Sequence, residues 1–318
     1  MLLLSHGKDQ YLILQVLQEM DNPVFEITEF MPSTSYFFHE TWQMETAALM
    51  CPNIQKMLFI QHNQCCPSLE PLQKFSKLTE LQIHGSQWIE SGLDKLVTVL
   101  GPQLINFGLI SIKGLDFDAL KHIFSKCKDL RGVVFNNCEF DGPGQVDRKE
   151  GKLVADSLEE LVMTCIVRVE YTDWLFRIAP KVKIVHLGSN TGVRDSTFID
   201  LTEDGFLKQL EEIQIEKSLT LSLTTLNCFI CSCPNIRSVG DLGVWGGISG
   251  PELGEMRQVV HEQNLQLDLS SHQVLRRFLG MTGEDRRQMM TLMTGPVLER
   301  IRMAQEAARN LQHDGQGL

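Results

Sequence analysis

The 318-residue chain lacks any apolar run near the roughly 18 residues that a membrane-spanning helix requires, so no such span is expected. Residues 1–4 form a very short apolar run followed by SHGKDQ, without the longer apolar core and cleavage site of a secretory signal. Clustered cations are also missing. Lys and Arg number 29 against 40 Asp and Glu, giving a net charge of −11. The cations are scattered, which disfavours nucleic acid, where clustered cations displace counterions, and disfavours anionic membrane surfaces. No phosphate-cradling P-loop, GxSxG elbow, HExxH zinc helix or GxGxxG turn occurs. Acidic residues are plentiful, yet no pair is fixed by spacing into an acid/base geometry. The chain reads as non-catalytic, with no cofactor expected. Its nine cysteines are an odd number. Cys228, Cys231 and Cys233 cluster and Cys65 adjoins Cys66, but a zinc site would need four ligands at compatible spacing, and no matching second half exists. Buried structural thiols in a reduced cytoplasmic or nuclear protein are the expectation.

What the sequence does contain is a repeat. Residues 130–140, LRGVVFNNCEF, place Leu130, Val133, Phe135, Cys138 and Phe140 in the frame of a leucine-rich repeat. The first apolar position, here termed the anchor, recurs at Ile54, Leu78, Leu104, Leu130, Leu158, Val182, Leu210 and Ile236, at an average step of 26 residues. The positions three and five after each anchor are apolar throughout, apart from Asp241. That makes 23 of 24 frame positions apolar, where a 43% hydrophobic composition would give about ten by chance. The position three before each anchor is apolar or small, as suits a tight turn packed under the next unit. Eight after the anchor, a polar group is expected to bond the neighbouring turn. Ser86, Cys138, Asn190 and Ser218 suit that role, as His62 could, while Ile112, Ile166 and Val244 do not. Each unit supplies a strand and then a helix, and stacking buries the face that one unit cannot. The expected fold is an α/β solenoid, a horseshoe with parallel strands on the concave face and helices on the convex face. A doubly wound sheet also alternates strand and helix, but would repeat less evenly.

Read in order, residues 1–50 form an atypical first repeat or cap, residues 51–270 the repeats, and residues 271–318 a helical cap or tail. The first part predicts a buried helix over 11–20, a strand over 24–27 with Phe25 and Ile27 inward, and a helix over 41–49. Starting so close to repeat material, the chain resembles a shortened form of a longer protein. Further helices are predicted over 90–100, 117–125, 172–178, 224–231 and 251–261. Residues 141–152 and 188–205, the latter carrying Asn190, Asp195, Asp200 and Asp204, read as loop insertions. The Gly-rich stretch 240–250 requires a turn or a close backbone approach. Leu265, Leu267 and Leu269 alternate like a last edge strand, in a unit whose anchor position, 262, holds Glu. After Pro296, Val297, Ile301, Ala304, Ala308 and Leu311 share one helical face that would cap the open end of the solenoid or, with Met289, Met290 and Met293, bind a partner.

Strand alternation turns the residues two, four and six after each anchor to the concave side. Leu58, Ile60, Ile110, Val134, Val162 and Ile184 make a broken apolar stripe there, with Glu160, Glu212 and Glu216 adding negative charge toward the C-terminal half. His84 and His186 also point to this face. Such a stripe marks a protein partner, unless a loop or tail of the same chain covers it. The residues expected to meet a partner are Leu58, Ile60, His84, Ile110, Val134, Asn136, Val162, Ile184, His186, Glu212 and Glu216. Cys51-Pro52-Asn53-Ile54 and Cys233-Pro234-Asn235-Ile236 share the form C-P-N-[LI], and Cys127-Lys128-Asp129-Leu130 varies it. With the 26-residue step, this resembles the cysteine-containing repeats of F-box/LRR proteins across residues 51–270. That resemblance implies substrate recognition for a ubiquitin ligase, with the ligase adaptor as a further partner. No F-box is recognisable in residues 1–50, so only the substrate-holding role carries over. A ligase-independent scaffold or inhibitor, similar in architecture to ribonuclease inhibitor, is the alternative.

Overall fold

The computed structural model describes residues 26, 28–30, 41–60, 69–85, 87–89, 92–142, 153–263 and 265–269. Its main sheet has nine strands: β1 (Glu29–Phe30), β2 (Lys56–Ile60), β3 (Glu80–His84), β4 (Asn106–Ile110), β5 (Gly132–Glu139), β6 (Glu160–Ile166), β7 (Ile184–Leu187), β8 (Glu212–Ile215) and, after β9 (Ser218–Ser222), β10 (Ser238–Gly240). β9 instead pairs with β11 (Trp245–Gly247) in a small parallel sheet. All pairings in the main sheet are parallel, and the strands lie in chain order without a reversal. That order decides against a doubly wound sheet, which switches direction at its centre. Each strand adds to the same growing edge. Right-handed crossovers, the rule for parallel strands, then place the connecting segments on one face; the opposite face, here termed the open face, carries no helix among the described residues.

The connections hold α1 (Thr41–Met50), α2 (Leu93–Leu100), α3 (Phe117–Lys126), α4 (Val169–Ile178), α5 (Asp195–Glu203), α6 (Leu223–Ser232) and α7 (Gly250–Glu262). A short 3-10 turn, Glu70–Lys74, takes the helix's place between β2 and β3. The caps are local chemistry: Asp116 accepts the Ala119 amide at 2.7 Å, and Ser249 and Glu252 close a capping box at α7. All anchors except the half-buried Ile236 are buried, as are all positions three after them. Five after, all are buried except Asp241, which turns the chain with a φ of 64°, a region open to Asp. These side chains and the inner faces of the helices form one continuous cluster. An aromatic file runs along it, with Phe198 packed edge-on between Phe176 at 6.1 Å and Phe229 at 5.0 Å.

The repeat is also written in the backbone. Every anchor amide donates to the carbonyl three residues before it, at 3.0–3.4 Å. The next two amides share the carbonyl one after the preceding anchor, as Glu159 and Glu160 do with Arg131 at 2.8 and 2.9 Å. The small column before the anchors is explained at Gly101, where a Cβ would meet Lys126 and Cys127 at 3.0–3.1 Å.

Several expectations need correcting. The stretch 188–205 is not a loop insertion, because α5 occupies its second half and buries Thr197, Phe198 and Leu201. Its acidic composition concealed an apolar pair at helical spacing. The thiols near α6 are not uniformly buried: Cys233 is, Cys228 is half-buried and Cys231 is exposed. The polar position after each strand drifts along the chain. Cys138 donates to the Leu109 carbonyl at 3.2 Å, Cys165 to Phe135 at 3.1 Å and the Trp245 indole to Ile215 at 3.1 Å. Those donors stand eight, seven and nine after their anchors, so a fixed offset misses two of them. Asn190 is exposed instead, and Ser218 pairs with Thr220 in its own strand at 3.4 Å; His62 and Ser86 lie outside the described residues. The last unit aligns Asp268 with Ser238. That sets its anchor position at Gln266 rather than Glu262, because α7 runs 13 residues, and Leu265–Leu269 contribute one bridge in place of a full strand. The first strand falls at Glu29–Phe30, while Val24, Phe25, Ile27 and the segments 11–20, 143–152 and 270–318 lie outside the described residues. In the Gly-rich stretch the close approach is real: a Cβ on Gly247 would meet the Leu221 carbonyl at 2.6 Å.

Candidate partner-binding face

The open face is a set of ladders fixed by register. One rung joins Leu58, Gln82, Gly108, Val134, Val162, His186, Gln214 and Gly240. A second joins Lys56, Glu80, Asn106, Gly132, Glu160, Ile184, Glu212 and Ser238 across the same strands. A third carries Ile60, His84, Ile110, Asn136 and Thr164. The structure therefore places all eleven sequence-predicted residues on one face or at its strand exits.

Their exposure differs from expectation. Leu58, Ile110, Val134 and Val162 are 9, 0, 2 and 2% exposed, so they do not form an exposed stripe. Neighbouring strands lie only about 4.8 Å apart, so these side chains abut along the ladders, yet none of them belongs to the main core cluster. Gln82 lies over Gly108, where an added Cβ would come within 2.9 Å of its Cγ. Ile184, Asn136, His84, Glu212 and Glu216 are half-buried, and of Ile60 only the strand register is described. His186 is fully buried, not a surface histidine.

Around His186 the face becomes polar. His186 Nε2 lies 3.1 Å from Glu216 Oε1, and the Ser189 hydroxyl donates to the other carboxylate oxygen at 3.5 Å. The His186 hydrogen bond, aided by Ser189, holds the Glu216 carboxyl below its ordinary value although burial opposes this. Gln214, opposite His186 in register, donates its amide to Asp241 at 2.6 Å. Three buried side-chain atoms have no hydrogen-bond partner among the described residues: Thr164 Oγ1, His186 Nδ1 and Gln214 Oε1. All three sit on adjacent strands of this one face. Leaving a buried polar atom unpaired costs about 1–3 kcal/mol. Their chemistry is defined by their other contacts. With its amide nitrogen on Asp241, Gln214 presents a carbonyl oxygen, an acceptor without a donor. His186 Nδ1 lies on the next strand without a partner among the described residues, its role set by the ring's tautomer.

The Ser189 hydroxyl bonds the carboxylate and not the imidazole, so no nucleophile–base pair forms here. No group of three metal-ligating side chains occurs among the described residues. Burial pushes the thiols of Cys127 and Cys233 up to about 12, and Cys138 well above its ordinary value, so they are inert packing groups. Gln214 and Thr164 were visible in the sequence as face residues. What singled them out, an unpaired buried polar atom on each, required knowing the partners of every neighbour. Ser189, just past the end of β7, carried no sequence signal.

No family model matches the chain, and no curated protein matches it. Among solved structures, it is similar to a chain in the crystal structure of the yeast Rad7–Elc1 complex, at 12% identity and a TM-score of 0.46, covering 77% of this chain and 73% of that one. At that level the likeness adds nothing to the fold read directly from the strand order. Among the described residues, no helix is long and apolar enough to cross a membrane.

Proposed function

We propose that this chain is a non-catalytic protein-binding scaffold that takes its partner on the open face of the sheet, the concave wall of a horseshoe. One observation carries the reading. The helix-side face is closed and satisfied, whereas the open face holds every unpaired buried polar atom among the described residues, beside apolar side chains outside the main core. A flat polymer of satisfied repeats has no use for such a patch; a binding surface does, because a partner supplies the missing hydrogen bonds and specificity follows from them.

The test is affinity capture with the full chain and with the double charge reversal Glu160→Arg, Glu212→Arg. Both side chains are half-buried on one rung, so the fold is expected to survive, with melting curves as the check. Loss of a partner held by the wild type supports the reading; an unchanged set of partners removes this face as the contact surface. Val134→Asp and Val162→Asp probe the centre of the face, but their burial makes them a test of folding as well.

A second reading, substrate recognition for a ubiquitin ligase of the F-box/LRR type, is favoured by the two C-P-N-[LI] turns. In both, as in every other unit, the carbonyl three residues before the anchor accepts its amide, at 3.4 Å for Cys51 and 3.0 Å for Cys233, so the support lies in the C-P-N-[LI] sequence itself. Co-purification with a ligase adaptor tests it. A ligase-independent scaffold or inhibitor would hold its partner without degrading it. Either role fits a cytoplasmic or nuclear protein.

A further inference from the structure

We propose that the cavity between α7 and residues 265–269 binds a small aliphatic carboxylate. The cavity is open to solvent and measures about 630 Å³, within the roughly 300–1,000 Å³ of small-molecule sites. The repeat frame explains why it exists. Asp268 pairs with Ser238, which stands two after its anchor, so the anchor position of this unit is Gln266, and Gln266 is exposed. No apolar anchor therefore fills the space between strand and helix here, as Leu104 and Leu130 do in their own units. α7 also runs 13 residues against the 8–10 of α1–α6, so it overhangs a unit that adds a single bridge to the sheet.

Its lining is divided. Val260 and Leu269 are 8 and 6% exposed and close the inner end, while Leu267 is half-buried and Leu265 exposed. Arg257 and His261, both exposed, stand one helical turn apart on the cavity side of α7. No Asp or Glu lies three or four residues from either in sequence, and neither side chain has a hydrogen bond or ion pair among the described residues. Glu262, next to His261 in the chain, accepts from Gln258 at 2.7 Å. Asp268, the acid on the wall, has an interaction of its own. A guanidinium fork matches a carboxylate through two parallel hydrogen bonds, and the imidazole offers a further polar contact beside it. The aliphatic inner end takes the tail, because removing hydrocarbon from water is favourable. One guanidinium, in a cavity that also holds Asp268, suits the single charge of a carboxylate and not the two of a phosphate monoester.

The test is calorimetric titration of the full chain with octanoate. One site per chain is expected. Arg257→Gln, at an exposed position, should weaken binding at least tenfold, and Arg257→Lys, which keeps the charge but not the fork, should fall between Gln and the wild type. Acetate, a head without a tail, and octylammonium, a tail with the opposite charge, should bind at least tenfold more weakly than octanoate. In the wild type, intermolecular NOEs from octanoate methylenes to the Val260 and Leu269 methyls locate the tail with no substitution made, so the site can be judged even if a variant fails to fold. Absence of octanoate binding, an affinity unchanged in Arg257→Gln, equal binding of octylammonium, or NOEs confined to other residues would overturn the proposal. Octyl phosphate binding more tightly than octanoate would overturn the choice of head group, and a peptide with a free C-terminal leucine binding where octanoate does not would overturn it by assigning the carboxylate to a protein. None of these measurements involves Glu160 or Glu212, so failure here is separable from failure of the scaffold reading.

Discussion

The two faces of the sheet obey different rules. On the helix side, positions three and five after each anchor repeat almost without exception and pack into a single cluster. On the open side, the row running from Val134 through Val162 to His186 and Gln214 changes from aliphatic to hydrogen-bonding within two strands. The strands themselves are equally regular on both sides. The difference shows that the repeat constrains only the side chains a unit must share with its helices, and leaves the opposite set free for a second purpose.

The contrast can be broken or sharpened by substitution. The largest effect is expected at Phe135, which is fully buried on the helix side and packs edge-on against Phe140 at 5.9 Å. Phe135→Ala should cost about 3–5 kcal/mol by urea unfolding, from lost transfer plus cavity. Val162→Ala on the open face removes two methyl groups and should cost about 1.5 kcal/mol; a cost equal to that of Phe135→Ala would erase the distinction between the faces. His186→Leu is expected to change stability by less than about 1 kcal/mol, because it removes the unpaired Nδ1 as it gives up the bond to Glu216. A loss of several kcal/mol there would show that the polar patch is structural.

Acid should expose the same patch. The Glu216 carboxyl titrates below its ordinary value of 4.5 in the folded chain, chiefly through its bond with His186. Its contribution is therefore fully present above that ordinary value and is lost as pH falls through the lowered folded value. As pH falls below that ordinary value, the wild type should lose more stability than Glu216→Gln; parallel acid curves would contradict the assignment. The smallest effect is expected from alkylating Cys231, exposed at the end of α6. Iodoacetamide should label it in the native protein and leave stability within about 0.5 kcal/mol. Cys127, Cys138 and Cys233 should stay unlabelled until denaturant is added, as peptide mapping would show.

Much of the fold was legible because its physics is local and periodic. Leu130, Val133 and Phe135 could be placed on one side of a strand by alternation alone, and the 26-residue step put the same residues of the next unit beside them. The predicted helix over 117–125 matches Phe117–Lys126 because Leu120, Ile123 and Phe124 share a face. α5 was missed because Phe198 and Leu201 stand among polar and acidic residues, so packing against Phe176 and Phe229 decided what composition obscured. The candidate site was legible only as a face. Sequence put His186, Glu212 and Glu216 on it but suggested a surface histidine and an exposed apolar stripe; His186 proved buried, as did Leu58, Ile110, Val134 and Val162 of the stripe.

By itself the sequence determined a stack of parallel strands, since a recurring apolar frame has one way to hide itself. It determined which side chains turn away from the helices, because a strand alternates with period two. The tertiary structure alone decided which of those side chains are closed off from water and which buried atoms go without a partner. Burial and hydrogen bonding depend on neighbours 24 to 30 residues away in sequence and one strand spacing away in space, and no local pattern records them.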